Sequence, residues 1–440
     1  LLILQTIDNK TNDMKITSYG HCYYALILNY LVKNGITEND SIDTSLNFLS
    51  ELSYSIYSAK ESYTKQHYNN FKKKYKDEFI IQDSILKRLE NGDYPILHIK
   101  DNEIIRFEQD FIYYYFLGKI LAEKISTTEI ESLCENIHQK INMYIIVFII
   151  HHSKNMELID EIILRCMLVL DKTKEASYLN EETPNFIQEL DIPKLIMNAT
   201  SIEENRTIDR KIQDENEIDY NKLEEEEDEN EIYKGIKLSE ALSQILKNRS
   251  GSFAKNKVKE IVDALIGLQL RVNKMIFEVC EDKDFEKFII QSLKEYFKKS
   301  DKKVSDDEAQ KFVKHLVASL SVGGNLGVVN GTSFLVYTDN IIDDLENLIE
   351  TNKQPSREII LFLTSIKKGI TSKHLKHLEN MIRQHKNKNF FAFKILSLSI
   401  QYYLNTHSID KTTEFKICKM LSLPEMNRAA DKLLDKIHSN

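Results

Sequence analysis

A chain of 440 residues with 42% hydrophobic and 29% charged side chains has the balance of a globular protein, long enough for two or three domains. The five cysteines, Cys22, Cys134, Cys166, Cys280 and Cys418, stand singly with no CxxC. That argues against a disulfide framework or a cysteine zinc site and reads as reduced thiols in the cytoplasm. The longest apolar run, residues 143–150, is far short of the ~20 residues of a membrane span, so no membrane association is expected.

The formal charge of −9 is local rather than general. Residues 203–231 carry fourteen acidic and four basic side chains, a balance of −10, which leaves the remainder near +1. Overall acidity is therefore no argument against nucleic-acid binding. Only five prolines and twelve glycines punctuate the chain, so helices should dominate. Opening on Leu-Leu-Ile rather than Met, the sequence reads as a piece of a longer protein.

In chain order, Tyr23, Leu26, Ile27 and Tyr30 recur at helical spacing over residues 18–33, and Gly35 supplies a stop. Thr44 or Ser45 is the expected cap of the next helix, whose inner face holds Leu46, Leu49, Leu52 and Ile56. Two more helices are expected over 64–77 and 82–89. The periodicity then changes. Residues 96–99, a polar turn at Lys100-Asp101-Asn102 and residues 104–107 read as a β-hairpin.

The hairpin runs into residues 110–124, which are apolar nearly all round. Asp110 is the expected N-cap, with Glu108 beside the positive end of the helix and Lys119 and Lys124 toward the negative end. Phe111, Tyr114, Gly118 and Leu121 mark one stripe; Ile112, Tyr115, Phe116 and Ile120 fill much of the rest. A helix with so little polar surface is surrounded by protein. Gly118 costs roughly 1 kcal/mol against Ala in such an interior, which points to a close helix crossing.

These residues carry a resemblance. The run resembles the F-x-H-x-x-F-Q-E-Y-F-x-A signature that closes the winged-helix domain of NACHT-type signal-transduction ATPases with numerous domains (STAND). Phe107 matches the first Phe, Ile112 the middle apolar residue, Tyr115-Phe116 the Tyr-Phe pair and Gly118 the small residue. The His that contacts nucleotide phosphates in many relatives is Gln109 here, and the acidic position is Tyr114. Helices followed by a small hairpin are also the parts of a winged helix.

Beyond Lys124 the pattern is helical to about Leu170, followed by a stretch with Pro184 and Pro193. Residues 201–231 hold few large apolar side chains and read as a disordered or solvated loop, with a regulatory or partner-binding tail as the alternative. Helices resume at Tyr233. Residues 239–272 resemble a stretch of bacterial NACHT C-terminal regions, "G-Q-I-L-K-N-x-x-G-S" followed by a helix bearing "L-R". Gln244 to Asn248, Gly251, Ser252, Leu270 and Arg271 match, and Ser243 stands for the leading Gly. Residues 389–423, with Ala392, Leu396, Tyr402 to Leu404 and Cys418, resemble the end of that region. Helical segments over 341–350, 357–368 and 374–385 suggest stacking without a fixed repeat.

Candidate chemistry is sparse. No GxxxxGK[ST] phosphate loop exists, and the run from Gly323 to Gly327 lacks the following Lys-Ser/Thr, so it is expected to be a turn or a close helix approach. His151 and His152 are adjacent and point differently. His374 and His377 have a spacing zinc can use, but the nearest carboxylate, Glu379, lies on another face, and no metal is expected. Lys65, Lys72, Lys73, Lys74 and Lys76 line one helix, with Tyr68, Phe71 and Tyr75 facing inward; in a DNA-binding winged helix this would be the recognition helix.

The fold expected is mostly α: the end of a helical lid over 1–40, a winged helix over 41–125, a helical linker over 126–200, the acidic segment over 201–235 and an α-helical, solenoid-like sensor region over 236–440. What the resemblance implies is the regulatory and sensor-side portion of a cytoplasmic STAND ATPase serving antiviral defence. The parent would use ATP/ADP with Mg in an upstream NTPase domain, sense an unknown ligand such as a phage protein, and oligomerise when activated. Gln109 is the one residue of this chain placed toward nucleotide. The alternative is a stand-alone helical binding protein whose winged helix touches nucleic acid.

Overall fold

In the computed structural model the residues described are 19–59, 62–99, 104–137, 139–153, 155–183, 207, 231–299, 305–339, 341 and 354–423. Among them are sixteen α-helices and one two-stranded hairpin, a mostly α protein. The hairpin turn at residues 100–103, nearly all of the acidic segment and, apart from Ile341, the helical segment expected over 341–350 lie outside the described residues. The chain divides into two compact units, residues 1–165 with 240–258, and 166–239 with 259–440.

In the first unit, α1 (Tyr19–Lys33) ends where Gly35 takes the left-handed conformation, φ +76°. Helix α2 (Asn39–Ser58) starts earlier than its expected cap. Thr44 and Ser45 lie inside it, their hydroxyls donating to the carbonyls of Asp40 and Ser41 at 2.7 Å. Hydroxyl side chains satisfy a carbonyl one turn back as readily as they cap, which is why the two roles look alike in sequence. Helix α3 (Lys65–Glu78) has a true cap: the Thr64 hydroxyl accepts from His67 N–H while His67 Nδ1 accepts from Thr64 N–H. Helix α4 (Asp83–Asn91) follows.

Strands β1 (Leu97–Ile99) and β2 (Ile105–Phe107) pair antiparallel, Leu97 opposite Phe107 and His98 opposite Arg106. Leu97, Ile105 and Phe107 are buried, and Arg106 is exposed. The Ile105 amide also donates to Tyr63 at 2.8 Å, tying the hairpin to the start of α3.

Helix α5 (Asp110–Lys124) opens at its expected cap rather than after it: Gln109, with extended backbone, is the N-cap and Asp110 is the first helical residue. The Asp110 carboxylate still sits in the first turn, where the helix dipole favours it. Seven α5 residues are buried, among them Ile112, Tyr115, Phe116 and Gly118. Phe111 and Tyr114, assigned to the buried stripe, are half-buried instead, the latter stacked on Tyr144 at 5.5 Å. Helices α6 (Thr127–Glu135), α7 (Lys140–Ser153) and α8 (Met156–Leu168) follow, and α5 packs most closely against α7. The crossing expected at Gly118 is there: an added Cβ would overlap Phe148 and come 2.9 Å from its carbonyl carbon.

The unit boundaries fall inside α8, α9 (Glu231–Arg249) and α10 (Lys255–Glu281). The second unit adds α11 (Lys283–Lys299), α12 (Asp306–Val336), α13 (Pro355–Ser365), α14 (Ser372–His385), α15 (Phe390–Thr406) and α16 (Lys411–Leu421). Gly323 to Gly327 form no turn; they lie within the continuous helix α12. Of the run's glycines only Gly324 has a close neighbour: a Cβ added there would lie 3.1 Å from the Ile276 side chain on α10, so the close-approach half of the expectation holds there. By length and composition, Asp307–Val336 is also the one helix among the described residues apolar enough to cross a membrane, with a mean hydropathy of 1.3. A search for unbroken apolar runs passes over it because Ser, Gly and Asn interrupt it. Its buried face carries Ser321, Asn325, Thr332 and Ser333 and packs on α13 and α15.

Candidate functional site

Gln109, the one position the resemblance places toward nucleotide, is half-buried at the start of α5, and its side chain makes no capping hydrogen bond. It presents a neutral amide beside Glu108. The nearest imidazole in the hairpin, His98, directs Nδ1 to the Glu108 carboxylate at 3.2 Å. With Arg106 opposite His98, the described residues of the hairpin's outward face carry one guanidinium, one imidazole and one carboxylate.

The same unit contains a cleft of about 810 Å³ between α2 and α3, within the range of small-molecule pockets. One face of α2 contributes Glu51, Tyr54, Ser55 and Ser58; one face of α3 contributes His67, Asn70, Phe71, Lys74, Tyr75 and Glu78. Lys124, the last residue of α5, reaches Glu51 at 3.0 Å and lies over the Tyr54 ring. Tyr75 stacks on Phe79 at 4.7 Å, and its hydroxyl accepts from Asn47. The cleft thus offers aromatic faces with cations and carboxylates in equal number at its rim.

The lysines of α3 divide into two groups. Lys72 is held by Glu90 at 3.0 Å and covers the Tyr68 ring; Lys76 meets Asp83 at 2.5 Å; Lys74 lies 4.0 Å from Glu78. Lys65 and Lys73 are exposed. Tyr68 and Tyr75 face inward as expected, edge-on to the buried Phe48, and Phe71 packs half-buried beside them.

The histidines find structural employment. His374 Nδ1 accepts from the Thr371 amide, the return half of a capping box at the start of α14. His377 and His385 both turn to Glu358 on α13, at 3.6 Å and 3.2 Å. Among the described residues no group of three or more His, Cys, Asp or Glu is placed to hold a metal ion. His152 packs edge-on to the Tyr115 ring at 4.8 Å, and burial pushes its pKa down to about 3. His151, Lys119 and Arg249 add to that depression, while hydrogen bonding to the Tyr115 backbone opposes it.

One constellation was not visible in the sequence. Residues 171–183 enter the second unit with no regular structure beyond a 3₁₀ turn at Asn180–Glu182. Glu175 receives a two-pronged bond from Arg357, both contacts 2.8 Å, and Arg357 also stands 3.4 Å from Asp263. Gly267 makes the room, since a Cβ there would lie 2.8 Å from the Glu175 carboxylate. Tyr178 is buried edge-on between Phe277 and Phe391, and its hydroxyl accepts from Asn273 at 2.5 Å. Asn180 caps α15 from 210 residues away, accepting from the Phe390 amide at 3.0 Å. Leu170 and Tyr178 are left-handed, φ +57° and +62°, a conformation costing roughly 1–2 kcal/mol for a residue with a Cβ. Glycine would have signalled such turns; leucine and tyrosine do not.

No family model, no curated protein and no solved structure matches the chain.

Proposed function

We propose that this chain is the regulatory and sensor-side portion of a NACHT-type STAND ATPase, with a winged helix that holds the resting state and a C-terminal helical region that senses a ligand. One observation carries the reading: β2 ends at Phe107 and leads within three residues into a buried helix bearing Tyr115, Phe116 and Gly118. The position where the signature has a small residue is the one where Phe148 leaves no room for a side chain. That gives the residue pattern a physical reason independent of the resemblance.

The groups around Gln109 do not by themselves fit a nucleotide. An amide carries no charge to offer phosphate, and the Glu108 carboxylate beside it repels one. The nucleotide and its Mg belong on this reading to an upstream NTPase domain, and α5 acts as a latch that packs rather than as a phosphate sensor. Ligand and nucleotide would then bias one two-state element. Calorimetry tests the assignment. The chain alone should bind ADP no tighter than millimolar and hydrolyse no ATP, whereas the chain joined to its upstream domain should bind ADP tightly. Micromolar binding by residues 1–440 alone would overturn it.

The rival, a nucleic-acid-binding winged helix, is favoured by the exposed Lys65 and Lys73 on α3. The carboxylates on Lys72, Lys74 and Lys76 weigh against it, because paired lysines release fewer counterions from a phosphate backbone.

A further inference from the structure

We infer that residues 171–183 form a releasable strap on the second unit, closed by Glu175 and Tyr178, with Asp263 as the partner to which Arg357 turns when the strap lifts. Buried irregular chain is uncommon because its backbone polar groups need partners. Among the described residues two of this strap's backbone bonds reach helices distant in sequence: Ala176 N–H donates to Leu270 and Ser177 accepts from Ser356 N–H. Among the described residues, side chains attach it to the helices at Glu175, Tyr178 and Asn180. The left-handed residues Leu170 and Tyr178 bracket Glu175, so lifting the strap relaxes two backbone positions at once.

The ion triad removes the usual obstacle to opening. Breaking a buried pair is costly chiefly because one charge is left alone. Here Arg357 keeps Asp263, whose carboxyl burial already pushes upward and which gains from a closer guanidinium. Lifting would also uncover the slot between Phe277 and Phe391 and free the first amides of α13 and α15. The strap is thus built to open as a unit below global unfolding.

Native-state hydrogen exchange on the full chain tests this. The amides of Ala176 and Ser356 should exchange at least a hundredfold faster than those of Leu265 and Leu268 in α10. Glu175→Gln should speed the two reporter amides about tenfold or more and leave α10 unchanged. Gly267→Ala, which crowds Glu175 without touching charge, should act in the same direction. Asp263→Asn should slow them, because opening then strands Arg357. If the reporters exchange only with global unfolding, or if Asp263→Asn speeds them as Glu175→Gln does, the strap is ordinary core and the inference fails. The wild-type comparison decides even if a variant does not fold.

Discussion

Gly118 on α5 and Phe148 on α7 meet backbone to backbone. A methyl group on Gly118 would overlap the Phe148 Cβ and stand 3.1 Å from the Ile149 amide nitrogen. Two of these atoms are main chain and the Phe148 Cβ is bonded directly to it, so none can rotate away. Gly118→Ala should therefore destabilise the first unit by about 1–3 kcal/mol, although alanine is the better helix former. Urea denaturation measures the shift. A stabilised variant would mean that the helices separate freely and the crossing is not a constraint.

Phe116 and Gln109 lie on the same element with opposite expected effects. Phe116 is fully buried, and emptying such a site costs about 3–5 kcal/mol, a large part of a domain's ~5–15 kcal/mol. Phe116→Ala should unfold the first unit under mild conditions. Gln109→Ala removes no capping bond and should leave the melting temperature within about a degree. If the chain is part of an ATPase of the proposed kind, unchanged resting activity for Gln109→Ala would confine α5 to a packing role.

The hairpin and α5 were legible because their signals are local: a change from period 3.6 to period 2, then an apolar run with one glycine. Starts and ends were less so. Asp110 is a good cap residue, yet the turn begins at Gln109, because backbone entry from β2 rather than side-chain preference sets the first helical residue. Gly323 to Gly327 read as a turn or a close approach, but α12, packed on α13 and α15, runs continuously through them. The strap escaped notice altogether. Its partners Asp263, Asn273, Arg357 and Phe390 lie 94 to 210 residues away from the residues they meet, and no local pattern announces a long-range clasp.

The lysines of α3 separate the two functional readings. If the helix binds duplex DNA, Lys65→Ala with Lys73→Ala should lower the slope of log K against log salt by roughly 0.9 per lost contact. If α3 instead belongs to a unit that packs as a latch, the double variant should show the same weak, non-specific binding as the wild type. Fluorescence anisotropy over a range of salt distinguishes them. A slope change of about two would transfer the proposal to nucleic-acid binding.

His152 makes the first unit acid-sensitive, and the sign can be worked through. Burial beside Tyr115, with the cations of Lys119 and Arg249 nearby, holds its folded pKa near 3, against an ordinary value of 6.5. As pH falls, the unfolded chain takes up this proton first. The stability contributed by the neutral imidazole is complete above about pH 6.5 and is lost progressively as pH falls toward 3, at up to ~1.4 kcal/mol per pH unit. His152→Gln has no such proton to gain. Urea denaturation at a series of pH values between 7 and 4 should give a steeper acid loss for the wild type than for the variant, the difference approaching one proton near pH 5. Parallel curves would place the protonated imidazole in contact with solvent and detach His152 from the buried face of α7.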